Sequence, residues 1–258
     1  MRPFVRSVSC AVLVLVLVLS ARGSRATEAD PPEAVLAVTP VAQAPESPKE
    51  GWCGEAAIQE GLLALGAYVS QARVNRAGKP SHPDLYASEL PAALLALGVE
   101  GAWMKARGFD AVRTFTAEAV SRGRPVVAGV KLLPTAHPSW GLDHFVVLVG
   151  VRGPDVLVDT TWGTRVSVTS APPRGISLAG AFFAVRLERV SGLPEGEGAV
   201  LSVVSDAAAG VVVRAVCPRS AGRVRVDDVA PPRDVPLVSG EARVTVKRDA
   251  FVRFRCMP

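Results

Sequence analysis

The hydrophobic period of this chain changes once, near Gly123, and that change limits it to few architectures. Before it, apolar residues recur at helical spacing in "CGEAAIQEGLLAL", "VSQARVNRAG" and "SELPAALLALG". After it, "RPVVAGVKL", "DHFVVLVGV", "PDVLVDTTW" and "GAFFAVRLERV" are short β-branched or aromatic runs bounded by Gly and Pro. Helices followed by antiparallel strands predict an α+β fold. In the first half, Gly66 suits the position just past one helix, Ser88 is placed to cap another that Gly98 ends, "EGAWMK" reads as a strand, and Thr116 to Arg122 reads as a fourth, short helix. The stretch "SGLPEGEG", residues 191–198, is read as a linker. Beyond it "AVLSVVS", "GVVVRAV", "GRVRVDD", "ARVTVKRD" and "FVRFRC" predict a small all-β sandwich or barrel over 199–258.

The chain starts with Arg2 and Arg6, runs through "AVLVLVLVL" and turns polar. That run is shorter than the roughly 20 residues of a membrane-spanning helix and matches a secretory signal over residues 1–26, cut after Ala26. The expectation is a secreted or periplasmic product with no stable membrane span once the signal is gone. Residues 27–37 then form an extended, proline-bearing arm. Removing 1–26 takes away four arginines and no acid, which lowers the formal charge from +5 by four to +1. The basic character therefore belongs mostly to the signal, and nucleic acid is not an expected partner.

Three cysteines follow the signal: Cys53, Cys217 and Cys256. In an oxidising compartment an odd count leaves one thiol over. Cys217 and Cys256 share the strand-rich tail, where a small core gains from a bridge, so they are paired and Cys53 is left free.

Cys53 opens the first helix, where unpaired N–H groups and the positive end of the helix dipole favour an anion. A depressed thiol pKa is expected there. His144 opens the strand "DHFVVLVGV", and Asp159 ends the next, "VLVD". Adjacent antiparallel strands bring both toward one end of a sheet. A thiol, an imidazole to take its proton and a third group to orient that imidazole are the requirements of nucleophilic acyl transfer. Trp52 and Trp162 flank these residues and are candidate walls of a substrate cleft. No metal-ligand spacing links Cys53 with His82, His137 and His144, no phosphate-cradling loop is visible, and neither metal nor cofactor is expected.

The segments "WCGEAAIQ", "GLDHFVVLVG" and "VLVDTTWG" resemble the papain-like cysteine peptidases, most closely the bacterial bacteriocin-processing, double-glycine-type peptidases and their stand-alone secreted relatives. The resemblance covers roughly residues 38–190 and implies a papain-like arrangement, helices packed on an antiparallel sheet, acting on a peptide or protein substrate. It implies Cys53 as nucleophile, His144 as general base and then acid, and Asp159 as the orienting acid. It also implies a glutamine before the cysteine that helps bind the oxyanion; the nearest is Gln43, ten residues upstream. The transporter portion to which many double-glycine peptidases are fused is missing from this sequence. A thiol acyltransferase or transpeptidase of the phytochelatin-synthase-like kind shares the same order of residues, and an inactive papain-like binding module is the third reading.

Overall fold

The computed structural model describes residues 33–44, 51–81, 83–105, 107–133, 142–207, 210–227 and 231–258. The signal-like segment 1–26, residues 27–32 of the arm, His82 and His137 lie outside the described residues.

The arm contributes a two-residue strand, β1 (Ala34–Val35). Helix α1 (Cys53–Ala64) follows, and ten of its twelve residues are buried. Glu55 and Glu60 are fully covered along with Ala56, Ile58 and Leu62, so this is a core helix and not an amphipathic surface one. It ends where Gly66 adopts φ +88°, and a Cβ there would meet the Cα of Gly198 at 2.7 Å. Only glycine meets both demands.

Strand β2 (Ala67–Val69) leads to α2 (Gln71–Gly78), whose first turn is capped by Ser70 Oγ accepting from the Arg73 N–H at 3.1 Å. Helix α3 (Leu90–Ala96) begins after Glu89, not Ser88; Ser88 lies in the preceding turn, and Pro91 occupies the first turn. Strand β3 (Val99–Met104) precedes α4 (Phe109–Val120), which starts seven residues earlier than the sequence expectation. Phe109, Val112, Thr116 and Ala119 are its buried face, a helical spacing that "FDAVRTFTAEAV" already carries.

The strands β4 (Val126–Leu133), β5 (Leu142–Arg152), β6 (Asp155–Asp159), β7 (Arg165–Val168), β8 (Gly175–Ser177) and β9 (Phe183–Val190) build most of the main sheet. Its order is β3-β9-β4-β5-β6-β7, with β1 on β5 and β8 on β4, and all its pairings are antiparallel. Its two faces are covered differently. Phe145, Val147 and Val149 of β5 join the core that contains α1, whereas Val146 and Leu148 join a second cluster with Phe109 and Val112 of α4. That alternation is the period-two pleat of a strand buried on both sides.

The tail adds β10 (Val200–Ala207), β11 (Gly210–Val216), β12 (Arg223–Asp227), β13 (Arg233–Pro236), β14 (Glu241–Val246) and β15 (Phe251–Met257). They form one sheet of order β10-β11-β14 and another of order β13-β12-β15-β2. β13 is a strand that sequence reading passed over. The stretch 191–198 turns the chain without dividing the core: Leu201, Val213 and Phe254 pack in the same cluster as Leu62 and Leu63, and β15 pairs with β2. Helices and mostly antiparallel sheets make this an α+β fold.

Cys217 and Cys256 are joined in a disulfide, with Cα atoms 5.7 Å apart, and Cys53 is a free thiol. The bridge closes a loop between residues 39 apart. In the chain-entropy view such a closure is worth about 4 kcal/mol, and native bridges in small secreted domains contribute about 2–5 kcal/mol. The double variant Cys217→Ser, Cys256→Ser should lose about 2–4 kcal/mol in denaturant unfolding; a change below about 0.5 kcal/mol would show the bridge to be idle.

Candidate active site

Cys53 is the first residue of α1, so its own N–H has no intrahelical partner. The Phe145 and Gly54 backbone N–H groups lie close enough to its sulfur to favour the thiolate. The first of these places the thiol at the peptide linking His144 to Phe145, so the helix start and the β5 start meet there. Gly54 allows the approach, since a Cβ at that residue would already touch the Phe145 ring and the Leu85 carbonyl at 3.4 Å.

The pKa expectation is reversed. Burial pushes the Cys53 thiol up from an ordinary 9.0 to about 12. The two N–H groups pull it down, while the nearby Glu55 and Asp84 push it further up. Glu55 is itself buried and raised by that burial; one oxygen accepts from Leu85 N–H at 2.9 Å and from Asn75 Nδ2 at 2.8 Å, and the other has no partner. Desolvation of the charged form outweighs the helix terminus here. The resting site holds a neutral thiol.

His144 is 5% exposed, and burial lowers its pKa from 6.5, so the imidazole is neutral as well. Its Nε2 lies 2.7 Å from the Thr160 carbonyl oxygen. A carbonyl can only accept, so Nε2 carries the proton and Nδ1 keeps the lone pair that a base needs. Thr161 Oγ1 stands 3.1 Å from the same nitrogen and 3.1 Å from the Phe145 carbonyl. Thr161 is at φ +60°, a conformation that costs a β-branched residue about 1–3 kcal/mol and persists only where its surroundings impose it. The strained turn after β6 delivers both the Thr160 carbonyl and the Thr161 hydroxyl to the imidazole. Trp162, in the same turn, stacks on the His144 ring at 4.3 Å between centroids and 18° between planes.

Asp159 does not take the orienting position. It is fully buried, and Arg165 grips it with Nε to Oδ1 at 2.6 Å and Nη2 to Oδ2 at 2.8 Å. Asp159 pairs with Val147, whose side chain lies on the opposite face of β5 from that of His144. The pairing of β5 with β6 also carries an irregularity between Leu148 and Gly150, which the spacing from His144 to Asp159 does not reveal. The group on His144 Nε2 is therefore the main-chain carbonyl sixteen residues later.

Gln43 is brought to this turn. Its N–H donates to the Thr161 carbonyl at 2.7 Å, and its neighbour Ala42 bridges to Trp162. The Gln43 side chain is buried, with Oε1 unpartnered. Trp52 donates from Nε1 to the Pro83 carbonyl at 2.8 Å. It also borders a cavity of about 610 Å³ that reaches Val41, Gln59, Tyr68, Arg76 and Arg248.

Thr160, Thr161, Glu55, Glu60 and Arg165 escape sequence reading. The two threonines act largely through backbone position. The acids left a signal, since each is a carboxylate inside a helix whose remaining residues, Gln59 apart, are apolar or small. Among the described residues no group of three or more His, Cys, Asp or Glu is arranged to hold a metal ion, and no helix is long and apolar enough to cross a membrane.

No family model and no curated protein matches the sequence. Among solved structures, one from Bacillus anthracis, provisionally named a C39-like peptidase, aligns with 14% identity. The alignment covers 62% of this chain and 99% of that chain, at a TM-score of 0.44.

The raised thiol sets a pH dependence. Thiolate is the alkylated form, so iodoacetamide should label Cys53 at a rate that climbs about tenfold per pH unit from pH 7 to 10. A plateau reached by pH 6 would show a standing thiolate–imidazolium pair instead. The histidine acts on stability in the other direction. Its folded pKa lies below 6.5, so the unfolded chain takes the proton first, and the stability it contributes above pH 6.5 should be lost on acidification.

Proposed function

We propose that this chain is an exported cysteine peptidase of papain-like arrangement, with the peptidase portion over roughly residues 38–190 and the strands of 199–258 as an accessory part. The observation that carries the reading is the meeting of two elements. A free thiol at a helix start lies beside the backbone N–H of the residue that follows a tautomer-fixed histidine. Supporting it are the resemblance of "WCGEAAIQ" and "GLDHFVVLVG" to that peptidase family and the signal-like start of the chain.

Because both groups rest neutral, the proton moves as the bond forms. Cys53 Sγ attacks the substrate carbonyl carbon while its proton passes to His144 Nδ1. The Nε2–H to Thr160 contact holds the ring, and Trp162 covers one face of the imidazolium as charge develops. A neutral orienting group is sufficient for this chemistry, as in Cys-His-Asn sites. The oxyanion is met by the Cys53 N–H and the Gln43 amide. His144 then gives its proton to the leaving nitrogen, the C–N bond breaks and a thioester remains. Water attacks the thioester with His144 taking its proton, the C–S bond breaks, and the proton returns to sulfur.

A peptide electrophile should label Cys53 stoichiometrically in the folded protein, and His144→Ala should lower that labelling and peptide turnover by about a hundredfold or more. Gln43→Ala should cost about a hundredfold in kcat. Folded protein that takes up no label would overturn the enzyme reading in favour of a binding module. Products that incorporate an added amine in preference to water would reassign it as an acyltransferase.

A further inference from the structure

Asp159 belongs to a buried polar cluster that the mechanism does not use. Glu60 of α1 and Asp159 of β6 are both fully covered, and Arg165 of β7 reaches in from a side chain that is 29% exposed. Arg165 pairs with Asp159, and Glu60 Oε1 has no hydrogen-bond partner. Burial, with Asp159 beside it, raises Glu60 well above its usual range and favours its protonated form.

The cluster also has an outward side. Glu60 Oε2 accepts the Val41 N–H at 2.8 Å, and Arg165 Nη2 donates to the Val38 carbonyl at 2.8 Å. Both targets are backbone groups of residues 36–44, the segment that continues the arm toward α1 and is counted with it from here on, and two residues beyond Val41 stands Gln43, bonded to Thr161. Nearby, Leu36 N–H donates to the Val149 carbonyl at 2.8 Å, and Gln71 holds Ala42 and Ala44, both at 2.8 Å. The arm is thus fastened to α1, α2, β5, β7 and the turn that carries the Thr160 carbonyl.

We propose that Glu60, Asp159 and Arg165 form a buried lock that fixes residues 38–43 in the register from which Gln43 serves the oxyanion, making the arm a permanent part of the active site. The inference rests on the peptidase reading for its consequence, but the lock can be measured without it. Glu60 and Arg165 are positioning residues: they hold backbone, and a displacement of about 1 Å at the reacting groups can cost about a hundredfold.

The test compares Glu60→Leu with Glu60→Gln in the full chain. Leu removes the acceptor for Val41 N–H; Gln retains it. Hydrogen exchange over residues 36–44 should accelerate at least tenfold in Glu60→Leu, with kcat falling at least tenfold and KM within about twofold. Glu60→Gln should restore both to within about threefold. Should Glu60→Leu not fold, Arg165→Gln loosens the same arm from its solvent-facing side and is read the same way. Unchanged exchange in the arm overturns the lock, and a loosened arm with unchanged kcat overturns its catalytic role. A wild-type chain that cleaves no peptide overturns the peptidase reading and the role of Gln43 together, and the exchange data then decide the lock alone.

Discussion

The structure depends on the contact between the start of α1 and the start of β5. Neither element alone makes a reactive site. A cysteine at a helix start is a small buried hydrophobe in most proteins, and a histidine at a strand start is usually a satisfied polar group. The Phe145 N–H beside Cys53 sulfur joins them, and the contact holds because α1 is buried nearly all round against the same face of the sheet that Phe145, Val147 and Val149 present. Packing of a core helix sets the position of the thiol.

That burial also sets the electrostatics. Apolar surroundings oppose a charge on the sulfur and on the imidazole alike, so the thiol is raised and the histidine lowered. The site answers with fixed dipoles more than with charges. Two amides face the sulfur, a carbonyl faces Nε2, and an indole covers the ring. Such groups are aligned before reaction begins, so stabilising developing charge requires little reorganisation. The acids nearby are turned elsewhere: Asp159 is held by Arg165, and Glu60 accepts the Val41 N–H.

The fold was legible where the hydrophobic period was strong. α1, α2, β4, β5, β6 and β9 follow their sequence patterns, and the pairing of Cys217 with Cys256 follows from cysteine count and tail composition. Shorter elements were hidden: β1, β7, β8 and β13 are two to four residues long, too brief to display a period. The front half of α4 carried the same signal, since Phe109, Val112 and Thr116 stand at helical spacing. The linker reading of 191–198 rested on glycine and proline alone, which mark turns and say nothing about whether a core continues beneath them.

What the amino-acid order determined is the identity of the two candidate residues: a lone thiol at a helix start and a histidine opening an apolar strand are local facts, written in contiguous residues. Which group turns to that histidine is not local. It depends on the pleat, on one irregularity between β5 and β6, and on a strained threonine, and together these put the Thr160 carbonyl at Nε2 and turn Asp159 toward Arg165. Whether the thiol rests charged is likewise a matter of how much water the assembled core excludes. Such exclusion arises only when distant segments close over the site, so tertiary structure alone could decide it.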